Sequence, residues 1–138
     1  MPYVFLEDTS IAEVAYRVEA KSLEELFRDS AIALTEVMVD LSTLSPISEM
    51  TIEVEGYDTN SLLYRFLNKI VSLKDTERML FREYNVQLKN TKLRCTMLGE
   101  KINPEKHELR NDVKGVSMYL FGIKEEKGRY TTTVVLDI

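Results

Sequence analysis

A chain of 138 residues with a formal net charge of −5 fits one domain, 1–138, by the prior of roughly 100–200 residues per domain. Its 44% hydrophobic and 30% charged content excludes disorder and leaves a core that needs no staples. The acid excess excludes a whole-molecule basic field for nucleic acid, and the one cysteine, Cys95, excludes an internal disulfide and fits a reducing cytosol. No basic leader is visible, and no stretch approaches the ~20 apolar residues of a membrane span. A cytoplasmic protein with no membrane contact is expected.

Met1 to Leu6 reads as a short strand. Glu13 to Ala20 reads as a half-buried one, since Val14, Tyr16 and Val18 point one way and Glu13, Arg17 and Glu19 the other. Ser22-Leu23-Glu24-Glu25 has the pattern of a capping box, with Glu25 reaching back. The helix that follows carries Leu23, Leu26, Phe27, Ala31, Leu34, Val37, Met38 and Leu41 as its apolar stripe, and Ser42 to Pro46 ends it. Thr51 to Glu55 alternates as a strand that Gly56 breaks. Asp58 or Asn60 caps a second helix with the stripe Leu62, Leu63, Phe66, Leu67, Ile70 and Val71. Beyond a turn or helix exit at Asp75-Thr76-Glu77, Met79–Leu88 and Leu93–Leu98 read as a hairpin around Lys89-Asn90-Thr91. Val113–Lys124 and Arg129–Ile138 form a last strand pair around Glu125–Gly128. Strands that cluster rather than alternate with helices indicate α+β: a mostly antiparallel sheet with two amphipathic helices on one face.

The segment from Leu98 to Val116 holds the only histidine and a dense mixture of both charge signs. A segment this polar is not expected to supply a core, and loops on a rigid scaffold are where binding residues concentrate. His107 has no second histidine for a zinc site of usual composition. It reads as a solvated or hydrogen-bonded side chain, or as part of a charged binding surface. Glu105, Glu108 and Asp112 are near enough in sequence for an acid/base pair. No nucleophile elbow, metalloprotease motif or phosphate loop accompanies them, so no enzyme is expected. Cys95, inside a strand-like run, reads as a buried, inert thiol.

At the other end, Asp137-Ile138 comes directly off a strand. A side-chain carboxylate and the terminal carboxylate then lie within one residue of each other. Glu13 lies on the polar face of its own strand. Such carboxylates either remain a solvated face or take a hard divalent cation, which relieves their repulsion.

Taken in order, these pieces resemble the archease family over almost the whole chain. Lys21-Ser22-Leu23-Glu24-Glu25-Leu26-Phe27 is similar to the start of its first helix, and Val37-Met38-Val39-Asp40 to the end. Ile52-Glu53-Val54-Glu55-Gly56 resembles the next strand, and Leu73-Lys74-Asp75-Thr76-Glu77 its acidic turn. Gly99-Glu100, Pro104-Glu105-Lys106-His107-Glu108 and Val113-Lys114-Gly115-Val116 resemble its most characteristic block, and Val-Val-Leu-Asp-Ile its terminus. The resemblance implies an accessory protein that activates an RtcB-type tRNA-splicing RNA ligase by promoting guanylylation and multiple turnover. It also implies a metal site formed by Glu13, Asp137 and the carboxylate of Ile138. Calcium is the expected ion, with magnesium or manganese as alternatives. Lys114, His107 and Glu105 are implied to lie near the partner or its nucleotide. For Lys114 the plain alternative is a surface lysine with no task.

Two positions depart from the family pattern. Its Asp-His-Thr-Ala-Asp motif falls on Thr9-Ser10-Ile11-Ala12-Glu13, where only Ala12 is retained and Glu13 keeps the carboxylate one methylene further out. Its Tyr-His becomes Met118-Tyr119. A second implied role is a chaperone-like modulator of a tRNA cytosine methyltransferase or other RNA-processing enzyme, with no obligatory metal. RNA is expected only through the partner, with weak contact from Lys101, Lys106, Arg110 and Lys114.

Overall fold

The computed structural model describes residues 2–7, 11–119 and 121–138. In chain order the elements are β1 (Tyr3–Leu6), β2 (Glu13–Ala20), α1 (Leu23–Met38), a 3-10 turn (Leu41–Thr43), β3 (Ser48–Glu55), α2 (Thr59–Thr76), β4 (Met79–Lys89), β5 (Lys92–Lys101), β6 (Gly115–Val116), β7 (Ile123–Glu126) and β8 (Arg129–Asp137). The fold is a single α+β domain and all its strand pairs are antiparallel. None of the described helices is long and apolar enough to cross a membrane.

The strands form two sheets rather than one. The first runs β1-β2-β8-β6, with β7 also pairing β8, and the second runs β3-β5-β4. Both helices touch strands of both sheets, so the core is the space the two sheets share. The physical reason lies in α1. Beside the expected stripe, Ser30, Ala33 and Thr35 are also buried, and such small side chains let a second layer approach the helix. The Thr35 hydroxyl is satisfied locally, whereas the Ser30 hydroxyl is buried with no hydrogen-bond partner among the described residues. Thr35 Oγ1 donates to the Ala31 carbonyl at 2.9 Å and shares a 2.6 Å hydrogen bond with the Tyr84 hydroxyl. The Tyr16 hydroxyl donates to the Ser30 carbonyl at 2.9 Å. Phe27 stacks on Phe66 with centroids 6.1 Å apart, and Tyr84 meets Phe66 edge-on at 6.4 Å, joining the helices to the second sheet.

The caps follow the sequence with two differences. Ser22 accepts from the Glu25 N–H at 3.1 Å, but the full reciprocal box forms on α2, between Asp58 and Ser61. Asn60 instead accepts the Ile123 N–H at 2.9 Å. The first helix stops at Met38 rather than reaching Leu41. Val39 turns extended there and bridges Leu109, and the Asp40 N–H donates to the Glu108 carbonyl at 2.8 Å. A tertiary pairing, with a β-branched residue at the switch, overrides the helical period.

The expected strand Val113–Lys124 is divided. Its two ends, β6 and β7, pair with different parts of β8; the Ser117 N–H still donates to the Val135 carbonyl at 2.8 Å, and 118–119 and 121–122 belong to neither strand. The β7–β8 turn is tighter than expected: Glu126 pairs with Arg129, and Lys127 (φ 53°) with Gly128 (φ 76°) gives the two positive-φ residues of a type I′ hairpin. In the second sheet β4 bulges between Phe81 and Glu83. The bulge lies against Gly99, where a Cβ would collide with the Leu80 carbonyl and the Phe81 backbone.

Candidate functional site

β8 is an inner strand of its sheet, and its last residue is flanked on both sides. Asp137 stands directly opposite Glu13 on β2 and opposite Gly115 on β6. The Ile138 N–H donates to the Ala12 carbonyl at 2.9 Å, which makes 12/138 a hydrogen-bonded position. By the antiparallel alternation, Glu13 and Asp137 are then a close, non-hydrogen-bonded pair. Their side chains share one face, with Cβ atoms about 4.5–5.5 Å apart. Tyr16, Val18, Val134 and Leu136 belong to the core, so this acid face is the outer one. Among the described residues no group of three or more His, Cys, Asp or Glu side chains is gathered to hold a metal. Among the described residues, the acids that the register sets together at this tip are Glu13 and Asp137, with Ile138 beside them. Carboxylate oxygens of this kind are hard donors that suit calcium or magnesium. The aligned positions Thr9 and Ser10 lie outside the described residues.

The segment from 102 to 114 connects the two sheets, and its ends have different anchors. At the first end Glu100, buried on β5, accepts at Oε1 from the Ser45 N–H at 2.9 Å and bonds His107 Nε2 at 2.6 Å. Its other oxygen accepts from Lys106 Nζ at 2.8 Å. The Asn103 N–H donates to His107 Nδ1 at 2.9 Å, so the network assigns the ring proton to Nε2, which donates to Glu100. Burial alone would push the Glu100 carboxyl up. The donors from His107, Lys106 and the Ser45 backbone outweigh burial and hold the carboxyl at about 2.

His107 has a side chain 0% exposed. It is hydrogen-bonded, not solvated, and it does not present its ring to solvent. Val113 is likewise fully buried, so this polar segment does feed the core. Lys106 and His107 are tied down at Glu100, and Asp112 at Lys74, which lets Val113 point inward. Glu105 is exposed, its N–H donating to Asn103 Oδ1 at 3.0 Å.

At the second end the Lys114 N–H donates to the Asp137 carbonyl at 2.7 Å. Of the expected residues the fold thus gathers Glu13, Asp137, Ile138 and the backbone of Lys114. His107 and Glu105 belong to the other anchor. The trio Glu105, Glu108 and Asp112 is not brought together. Asp112 instead accepts from Lys74 Nζ at 2.5 Å. Of the basic patch, Lys106 is held by Glu100, and Arg110 donates to the Glu36 carbonyl at 3.1 Å. Cys95 is buried and its thiol pKa is pushed up to about 12 by burial.

Sequence reasoning gave no role to Lys74 or Asn68. The signal for Lys74 was present: it continues the Leu67, Ile70 spacing and so falls on the buried stripe of α2. The Asn68 side chain accepts the Val116 N–H at 3.2 Å, and no sequence period announces that contact.

These features define a class, a two-sheet α+β domain with carboxylates paired across the end of an inner strand. The family model described as the Archease protein family matches residues 3–138, and the chain belongs to this family. It is 35% identical over 138 residues to protein archease of Sulfurisphaera tokodaii, covering 99% of this chain and 98% of the relative. It is 37% identical to that of Sulfolobus acidocaldarius, with the same coverage of both chains. The solution structure of Methanobacterium thermoautotrophicum protein 1598 superposes with a TM-score of 0.82 at 30% identity, covering 99% of both chains. The crystal structure of a Thermotoga maritima archease, described as a possible chaperone, has a TM-score of 0.70 at 17% identity over 94% of this chain and 93% of its own, a likeness of fold.

Proposed function

We propose that this chain is a non-catalytic accessory protein that activates an RtcB-type tRNA-splicing RNA ligase, promoting its guanylylation and multiple turnover. A divalent cation, calcium first and magnesium or manganese otherwise, would be held at the tip by Glu13, Asp137 and the terminal carboxylate of Ile138. The observation that carries the reading is the register that sets Glu13 opposite Asp137. Two unit charges at 4 Å repel by about 1 kcal/mol in water and about 4 kcal/mol at an effective dielectric of 20. Inserting the tip into a partner's cleft raises that repulsion, and with it the gain from a bound cation. When bound, the ion supplies positive charge at the partner's reacting groups. The chain's own part is to hold three oxygen donors on a rigid strand end. Lys114, exposed beside Asp137, suits a phosphate or an acidic partner surface, and Glu105 is free to meet the partner. His107 acts from inside, by anchoring the segment that carries Lys114. The net charge of −5 leaves RNA to the ligase.

Calorimetric titration with calcium and manganese, on wild type and Asp137→Ala, tests the site. Binding that vanishes in the variant, together with loss of ligase turnover by a variant that still folds, is the expected result. Unchanged turnover sinks the assignment.

A second reading is favoured by Ile11, Met118 and Tyr119. These large apolar side chains are exposed close in sequence to Ala12 and to β6, and they suit protein docking without a metal. In that reading the chain is a chaperone-like modulator of a tRNA cytosine methyltransferase. A pull-down in chelator that recovers the methyltransferase and no ligase would favour it.

A further inference from the structure

The peptide unit joining Val113 to Lys114 is held at both ends. Its carbonyl, on a residue that is fully buried, accepts from Lys74 Nζ at 2.6 Å. Its N–H donates to the Asp137 carbonyl at 2.7 Å. A trans peptide is a rigid plane whose C=O and N–H point in opposite directions. Lys74 on one side and β8 on the other therefore fix that plane, and with it the point where the Lys114 side chain leaves the backbone.

The lysine is suited to this hold. Its side chain is only 9% exposed. Its ammonium has three donors and no acceptor, and it meets three acceptors: the Val113 carbonyl at 2.6 Å, Asp112 at 2.5 Å and Asp75 at 2.9 Å. Burial disfavours its charge, but the hydrogen bonds it donates to Asp112 and Asp75 outweigh that and leave the pKa raised. The two carboxylates are themselves largely exposed, Asp75 at 57% and Asp112 at 77%, so they orient the ammonium while remaining hydrated. A hydrogen bond to a charged donor also polarises the peptide it touches, strengthening the N–H donor at the other end.

We infer that Lys74 is a positioning residue: it clamps the 113–114 peptide from the last turn of α2 and so sets Lys114 and β6 beside Asp137. The consequence for ligase activation rests on the function proposed above. The clamp itself does not.

Nuclear magnetic resonance separates the two. In the wild type the Lys74 ammonium protons should exchange slowly enough to give their own nitrogen-correlated signal. Fast exchange, with no such signal in the cold at neutral pH, overturns the clamp without any variant. In Lys74→Met the Lys114 amide should exchange about tenfold faster relative to the amides of Val134 and Val135, as for a local opening. An equal acceleration of all three would mean general destabilisation only, and would overturn the proposal.

In ligase assays Lys74→Met should lower turnover about tenfold, non-additively with Lys114→Ala, while Lys74→Arg restores most of it. Val86→Ala, a core change of comparable cost, should leave turnover unchanged. Turnover that ignores Lys74→Met while responding to Asp137→Ala would overturn the positioning role. Turnover that ignores both would sink the proposed function, and the exchange rates would still decide the clamp.

Discussion

Glu100 illustrates how one side chain can order a whole segment. Three donors converge on it: the Ser45 backbone, Lys106 and His107. Its carboxyl lies at about 2 in the folded chain against an ordinary 4.5. A lowered folded value means the unfolded chain binds the proton more readily. The group's stabilisation is therefore complete above pH 4.5 and is lost as pH falls through about 2. Thermal melts between those values should show a steep loss in wild type and a shallower one in Glu100→Gln. A second buried hydrogen bond joins Thr35 and Tyr84 at 2.6 Å. Thr35→Val keeps the shape and orphans the Tyr84 hydroxyl, at a cost of about 1–3 kcal/mol measurable by urea unfolding. The residues expected at the metal site were legible individually as carboxylates; the stripe read on the second helix ended at Val71, one turn short of the buried Lys74. That Lys74 meets Asp112, 38 positions away, was not legible, because nothing local specifies which distant peptide a buried ammonium will find.

Elements show where local preference ends. The cap at Ser22, the stripes of α1 and α2 and the alternation of β2 were all readable, since each depends on neighbours within a few positions. The end of α1 was not: Leu41 keeps the helical spacing, but Val39 pairs with Leu109. The split of β6 from β7 arises in the same way, from two separate pairings along one long strand. Gly99 marks a third tertiary constraint, the close approach of β4 at its bulge. Gly99→Ala must push the Leu80–Phe81 backbone away, which should cost about 1–3 kcal/mol. Denaturant midpoints would read that loss. A stability equal to wild type would mean the two strands separate freely at this point.

At the scale of the molecule, the two sheets and the segment between them place a strand end carrying two opposed acids at the surface. A cation bound there only in the folded state stabilises it by mass action. Calcium at a hundredfold excess over its dissociation constant should raise stability by about 2.7 kcal/mol, seen as an upward shift in melting temperature that is absent in Asp137→Ala. No shift in wild type would argue that a partner must complete the site.

The α+β class, the two helices, most strand positions and the family pattern were contained in the chain itself. Periodicity, caps and short motifs are local, and local order survives in the linear text. The division into two sheets, the burial of His107 and Val113 and the pairing of Glu13 with Asp137 were decided only by the folded structure. Each depends on which distant backbone groups meet, and the register that sets those meetings belongs to the packed core as a whole.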